Sequence, residues 1–517
     1  MRKLLYIAVF TSGLVSLAVE MSASRLLGNY FGTSNLVWAS IIGLILIYLT
    51  AGYFLGGRWA DHSPNYATLF KILAWAAFAI GLVPLISRPL LRITANAFDE
   101  LQFGVMIGSF VTVMVLFCIP VTLLGTASPF AIRLALVDSR QAGTIAGRIY
   151  AISTLGSFIG TFLPDLLLIP LIGTYRTFLV FSGLLLIVSL TLLAITSGFR
   201  KSLHYIWMPS IIIILAIFGV QGADKATEGL VYETESSYNY IQVIEQDDYT
   251  MLRLNEGQGI HSIYHPTQLN YLGPWEQVLV APFFNPAPYS PTNIKKMAIV
   301  GLAAGTTARQ ATQVFGSIQI DGYEIDPKII QVGKDYFDMN EPNLNIFVQD
   351  GRVGLSQSGQ IYQVISIDAY HPPYIPWHLT TQEFFQIVRD HLSEDGVMVI
   401  NVGRSSNDRS IVDALGSTIA TVFPSVHVMD LPYSFNSILF ATVKPTSDQN
   451  LLDNFTDLVS TPGVDQTLLE TMQITIQNLQ PTPAQGIVFT DDQASIEWIT
   501  NKMILSFLVS GEMETLQ

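Results

Sequence analysis

Glu324, Asp350 and Asp368 each close a short apolar run, and Gly301 and Gly305 bracket the turn after an earlier run, Met297-Ala298-Ile299-Val300. Open α/β sheets collect their ligands at the carboxyl ends of successive strands. Gly301 and Gly305 let backbone N–H groups approach a ligand where Thr306 and Thr307 open a helix. Glu324 stands 19 residues beyond Gly305, where one carboxylate can accept both hydroxyls of a ribose. Asp350, followed by Gly351, can accept an adenine amino group, and Asp368 ends the fourth run. A Gly-x-x-x-Gly turn alone is common. Three strand-end acids following it in order point to a nucleoside site.

The elements around these residues must hold them in a row. Short buried strands are expected over 296–301, 317–324, 343–349, 363–368, 396–402, 425–431 and 437–443, with helices over 306–315, 327–338, 381–392 and 408–422. That alternation implies a parallel α/β sheet. The link between the last two strands contains Pro432 and Asn436 and is short, so those two are expected to pair antiparallel. Before them, residues 231–264 alternate apolar and polar, as in Tyr240-Ile241-Gln242-Val243-Ile244, and read as a small antiparallel sheet. The expected fold class is a multi-span α-helical membrane domain, a small antiparallel β-sheet and an α/β Rossmann-like domain of the class I methyltransferase type. The expected divisions are 1–221, 231–290, 291–445, and a C-terminal helical extension over 446–517 that carries Thr490-Asp491-Asp492.

Composition supports the split. The chain has 517 residues, 50% hydrophobic and 13% charged, against about 25% charged in an ordinary soluble domain. Wholly soluble and disordered readings both fail. Residues 1–221 carry a net +7, and residues 222–517 a net −21. An acidic soluble half argues against nucleic acid, whose phosphates need a basic face. It suits a small cationic ligand, or serves solubility alone. The single cysteine, Cys118, lies in an apolar run, which excludes disulfides, cysteine-ligated metal and a cysteine nucleophile.

Seven apolar runs are long enough to cross roughly 30 Å of hydrocarbon: 4–24, 36–56, 68–87, 104–124, 149–171, 177–196 and 205–221. The expected location is the cell membrane, multi-pass, with the lipid bilayer as a partner. With the N-terminus cytoplasmic, that side gathers Arg2, Lys3, Arg58, Arg133, Arg140, Arg148, Arg200 and Lys201, against Arg25, Arg88, Arg92 and Arg176 on the other. Seven crossings would then carry the soluble half outside, whereas a nucleoside site is expected on the cytoplasmic side. The two readings of topology stand opposed. Glu20 and Asp165 fall at membrane depth, where an ionisable group is costly; they serve binding or transport, or they pair and line a kink.

The soluble half resembles the spermidine synthase (polyamine aminopropyltransferase) family. Tyr238-Asn239-Tyr240-Ile241-Gln242-Val243 looks like the family's opening strand, and Leu254-Asn255-Glu256-Gly257 like its Leu-Asp-Gly hairpin. Tyr323-Glu324-Ile325-Asp326-Pro327, Asp350-Gly351-Arg352, and Asp368 followed by Leu379-Thr380-Thr381-Gln382-Glu383-Phe384-Phe385 are similar to the synthase core. Ile375-Pro376-Trp377-His378-Leu379-Thr380 and the segment Thr490–Glu497 resemble the family's membrane-anchored branch.

The resemblance implies transfer of an aminopropyl group from decarboxylated S-adenosylmethionine, as co-substrate, to putrescine or a related amine, with no prosthetic group and no metal. Asp368 would be the catalytic base. Gly301, Gly305, Glu324, Asp350, Gly351 and Asn239 would hold the donor. Tyr238, Tyr271, Tyr370, His371, Asp491 and Asp492 would face the substrate, and a homodimer is expected. Three positions depart from the family pattern: Asn239 replaces a glutamine, Ala304 replaces an acid of the glycine loop, and His371 replaces a second aspartate. Asp491, Asp492 and Glu497 either supply replacement carboxylates or cap the final helix. Two other readings remain open: an S-adenosylmethionine-dependent methyltransferase, and a non-catalytic polyamine sensor or transporter.

Overall fold

The computed structural model describes residues 1–31, 35–99, 104–136, 138–219, 225, 227–255, 259–370, 375–405, 407–483 and 486–510. The chain divides into two compact units. The first comprises Met1–Glu228, Glu233–Ile241 and Asn255–Gly257; the second comprises Gly229–Tyr232, Gln242–Leu254 and Gln258–Gln517.

Seven helices in the first unit are long and apolar enough to cross a membrane: Arg2–Phe31, Val37–His62, Tyr66–Leu91, Phe110–Ala135, Ala142–Ile172, Thr174–Ser197 and Phe199–Phe218. They fall where the seven apolar runs lie. Small residues let them approach closely. A Cβ on Gly156 would stand 2.1 Å from the carbonyl oxygen of Phe10, and one on Gly160 would stand 2.0 Å from that of Leu14. This small-xxx-small spacing replaces the hydrophobic drive that is absent between helices in lipid. The fifth helix passes through a π-turn at Pro164–Leu168, because Pro164 has no N–H to continue the ladder. The seventh is interrupted, with helical pieces at Phe199–Leu203 and Trp207–Ile214. Glu235 accepts from the backbone N–H of Thr174 at 2.5 Å and from its hydroxyl at 2.9 Å. It thus supplies negative charge at the positive end of the sixth helix.

The soluble part begins with four strands, β1 (Leu230–Glu235), β2 (Tyr240–Gln246), β3 (Tyr249–Leu254) and β4 (Ile260–Tyr264), in the order β1-β2-β3-β4. A second sheet follows, built from β5 (Lys296–Val300), β6 (Gln319–Glu324), β7 (Leu344–Val348), β8 (Tyr362–Ile367), β9 (Leu392–Gly403), β10 (Ser425–Asp430), β11 (Asn436–Thr442) and β12 (Leu479–Gln480). Its order is β12-β10-β11-β9-β8-β5-β6-β7. Strands β5 to β9 pair in parallel, and β9–β11, β11–β10 and β10–β12 pair antiparallel. The last two expected strands do pair antiparallel. The central strands are buried on both faces, which is why they read as unbroken apolar runs such as Met297–Val300.

Chain order runs outward from β5 through β6 to β7, then returns to place β8 on the other side of β5. That reversal is the topological switch point, where such sheets bind ligands. Three features were not expected from sequence. β9 starts at Leu392, four residues early; helices form at Pro274–Val280 and Gly351–Gln357; and β12 adds an edge strand. Beyond residue 446 lie helices Asp448–Val459, Gln466–Gln477 and Ile496–Ser510.

Candidate active site

Parallel register aligns the strand ends. Val300 of β5 is level with Ile367 of β8, and Ile367 with Ile400 of β9. The next residue on each strand is therefore Gly301, Asp368 or Asn401, side by side at the switch point. Gly301 is needed there on two counts. Its φ is +90°, and a Cβ would stand 2.5 Å from the carbonyl oxygen of Asp368. Only glycine fits. Gly305, with φ +89°, lies just before helix Thr306–Phe315, and a Cβ on it would stand 2.6 Å from Met339 Cγ.

Glu324 ends β6 and is only 8% exposed. Oε2 accepts from the N–H of Ala303 at 3.0 Å, and Oε1 from the N–H of Asp326 at 3.0 Å. Burial pushes its carboxyl up to about 7, while those backbone donors pull the other way. The glycine turn is thus tied to the carboxylate that ends β6. Ala304 donates its N–H to Ser262 Oγ at 2.9 Å.

Asp350 caps helix Gly351–Gln357, with Oδ1 accepting from Val353 N at 3.0 Å. Oδ2 meets His378 Nε2 at 2.8 Å. The hydrogen bond from His378 holds the Asp350 carboxyl below its ordinary range. Gly351 lies against β5, since a Cβ there would stand 2.4 Å from Val300 Cγ1.

Asp368 Oδ1 accepts from Asn401 Nδ2 at 3.0 Å. Burial raises its carboxyl to about 6, and the Asn401 amide opposes that rise. Tyr370 is held close by, its hydroxyl donating to the carbonyl of Asn401 at 3.0 Å and accepting from Gly403 N at 3.0 Å. Burial, and then the charge of Asp368, push the Tyr370 phenol up. A carboxyl raised to about 6 beside the Gly301 turn can take a proton from a bound ligand.

The remaining expected site residues divide. Tyr271 donates its hydroxyl to the carbonyl of Gln268 at 2.8 Å and accepts from His265 N at 3.2 Å, so that hydroxyl is engaged within its own loop. Burial raises its phenol to about 12. Buried Glu276 fastens the same loop, accepting from Tyr271 N at 2.5 Å and from Gln310 Nε2 at 2.9 Å. Tyr238 and Asn239 belong to the first unit, where Asn239 Oδ1 accepts from Asn255 Nδ2 at 3.0 Å. His371 lies outside the described residues. Asp491 is engaged by Arg352, whose Nη1 and Nη2 donate to its two oxygens at 2.7 and 2.6 Å, and by the Thr381 hydroxyl at 2.7 Å. Arg352 holds the Asp491 carboxyl below its usual range. Asp492 is exposed.

Sequence reasoning did not single out His378 and Asn401, which contact Asp350 and Asp368. A polar residue near the end of the apolar run Val397-Met398-Val399-Ile400 was the available signal for Asn401. Arg352 was visible as part of its motif, but not as the partner of Asp491. Among the described residues, no group of three or more His, Cys, Asp or Glu side chains is arranged to hold a metal ion.

Residues 285–451 match the family described as "Spermine/spermidine synthase domain". Among curated proteins, the chain is 33% identical over 283 residues to a probable polyamine aminopropyl transferase of Bifidobacterium longum, covering 52% of this chain and 61% of that protein. The match therefore spans less than two thirds of that relative. The polyamine aminopropyltransferase 2 of Aquifex aeolicus is 23% identical over 426 residues, covering 80% of this chain and 82% of its own. A spermidine synthase structure from Thermotoga maritima aligns over 48% of this chain and 84% of its own, with 20% identity and a TM-score of 0.39.

Proposed function

We propose, on the premise that residues 285–451 form a spermine/spermidine synthase domain, that this chain is a membrane-anchored aminopropyltransferase of polyamine synthesis. Decarboxylated S-adenosylmethionine is the donor. Its ribose lies on Glu324 and its adenine toward Asp350, against the backbone opened by Gly301, Gly305 and Gly351. The acceptor is a small diamine of the putrescine kind, drawn by a soluble half of net charge −21.

An alkylamine has a reference pKa near 10.4 and is protonated at neutral pH. Asp368 pairs with that ammonium and takes its proton. The freed nitrogen lone pair attacks the methylene carbon beside the sulfonium, the C–S bond breaks, and methylthioadenosine leaves as a neutral thioether. Positioning of the two reactants and the proton acceptance supply the rate. Asp368 carries the proposal: a partly buried carboxyl raised to about 6, at the switch point beside Gly301.

The test uses the full chain in detergent with decarboxylated S-adenosylmethionine and putrescine, following methylthioadenosine and spermidine by mass spectrometry. Both products are expected in equal amounts. Methyl transfer from intact S-adenosylmethionine would replace this reading with the methyltransferase one. Polyamine binding without release of methylthioadenosine from any diamine would replace it with the sensor.

Anchoring belongs to the proposal. Phe199–Phe218 is the shortest of the seven apolar helices and is interrupted at residues 204–206. Lying along the interface, it leaves six crossings, which put both the N-terminus and the soluble half in the cytoplasm. The positive-inside bias and the nucleoside substrate then agree. In a Cys118→Ser background, cysteines introduced at Arg2 and Glu228 would be labelled from the same face; labelling from opposite faces would restore seven crossings.

A further inference from the structure

Behind Asp368 runs a file of side-chain hydrogen bonds that all point the same way. The Ser434 hydroxyl donates to Asn436 Oδ1 at 2.6 Å, Asn436 Nδ2 donates to Asn401 Oδ1 at 2.7 Å, and Asn401 Nδ2 donates to Asp368 Oδ1 at 3.0 Å. Sheet register makes the file possible. Asn436 and Asn401 sit on neighbouring antiparallel strands, with Asn436 level with Gly403 and Ile438 level with Asn401. Asn401 is 9% exposed. A carboxylate offers no proton, so Asn401 must turn its NH2 toward Asp368 and its oxygen toward Asn436.

Resting on the proposed function, we infer that Asn401 and Asn436 are positioning residues for Asp368, holding its Oδ1 engaged so that Oδ2 faces the acceptor ammonium. Asn436 acts through Asn401. By supplying a donor to the oxygen of Asn401, it forbids the flipped amide that would set an oxygen against the carboxylate. The same file keeps Asp368 ionised, since its last amide opposes the upward push of burial.

Three variants separate positioning from packing. Asn401→Leu removes the donor at nearly constant volume. Asn436→Asp offers only acceptors, so the Asn401 amide turns round and presents its oxygen to Asp368. Asn436→Leu leaves the Asn401 oxygen unpaired and no longer fixes which way its amide faces. A hydrogen bond to a charged group is strong enough for roughly a tenfold or larger fall in kcat in Asn401→Leu and Asn436→Asp, with the donor KM unchanged. The acid limb of kcat/KM moves up by about one pH unit in both. Asn436→Leu, which no longer fixes the Asn401 amide but offers no competing acceptor, falls between the wild type and Asn436→Asp in both measures.

The carboxyl stretch of Asp368, identified as the infrared band lost in Asp368→Asn, reports its titration without turnover. It should titrate at higher pH in Asn401→Leu and Asn436→Asp. If the band does not move, or if Asn436→Leu matches Asn436→Asp, the inference is overturned. A wild-type chain that makes no methylthioadenosine overturns the proposed function instead, and the band still decides the positioning.

Discussion

The Asp350 carboxylate and the His378 imidazole meet at 2.8 Å, while the other Asp350 oxygen caps the following helix. The carboxylate proposed to receive an adenine amino group is therefore already hydrogen-bonded at both oxygens, and such a ligand would share an oxygen through its second lone pair. His378 keeps that carboxyl ionised. In His378→Ala the Asp350 pKa should return upward toward the ordinary value near 3.9. Methylthioadenosine affinity, read by calorimetry, should fall at pH 7 and be lost at a higher pH on acidification than in wild type. An unchanged affinity profile would detach His378 from the nucleoside site.

Asp368→Asn should lose roughly a hundred- to ten-thousandfold in kcat, the scale of a positioned general base, while methylthioadenosine binding persists. For the wild type, the sign of the pH dependence is set by the raised carboxyl. Below about 6 it is protonated and cannot accept the ammonium proton, so kcat/KM falls as pH drops through that value. An acid limb that persists in the residual activity of Asp368→Asn would assign it to another group.

Glu324→Gln replaces one acceptor by an amide that must face either Ala303 N–H or Asp326 N–H. Methylthioadenosine should bind roughly ten- to a hundredfold more weakly. Because burial lifts the Glu324 carboxyl to about 7, the wild type should bind the nucleoside more tightly as pH rises from 6 to 8, where the ionised form is the better acceptor. Binding below pH 7 should release a proton, seen as a dependence of the calorimetric heat on the ionisation enthalpy of the buffer. Glu324→Gln should abolish that dependence.

The Arg352–Asp491 pair fastens the C-terminal segment beside the Asp350 turn, and Asp491 N–H donates to Glu383 Oε2 at 2.9 Å. Both side chains keep contact with water, at 20% and 39% exposure, so the pair is worth about 1 kcal/mol, the upper end for exposed ion pairs. Asp491→Asn should speed hydrogen exchange over residues 486–495 and raise the KM of the donor more than that of the amine. A larger effect on the amine would favour Asp491 as an acceptor-side carboxylate. Because Arg352 holds the Asp491 carboxyl low, the pair's contribution persists above the ordinary carboxylate range and is lost only on acidification below it.

Much of this arrangement could be read from residue order. Runs such as Met297–Val300 and Tyr362–Ile367 are largely apolar because both faces are covered, and the Gly301 turn and Asp368 that follow them obey a local rule. The seven membrane-length runs were visible for a similar reason, as uninterrupted apolar length. What escaped was contact across sequence distance. Arg352 and Asp491 are 139 positions apart, and Asn401 and Asn436 are 35 apart. The second pair meets only through the β9–β11 register, which no local pattern encodes. β9 began earlier than expected because Leu392-Ser393-Glu394-Asp395-Gly396 reads as a turn, yet Leu392 is level with Tyr362 across a register shift in the β8 pairing.

The file from Ser434 to Asp368 also fixes where a proton can go. Amide nitrogens do not hand protons on at neutral pH, so the row behind Asp368 is a dead end for proton traffic. Any proton gained at Asp368 has to depart by the face on which it arrived, after the alkylated amine has withdrawn. Recharging of the base would then wait on product escape, and a solvent deuterium effect on turnover should shrink when added viscosogen makes escape, a step that moves no proton, limit the rate.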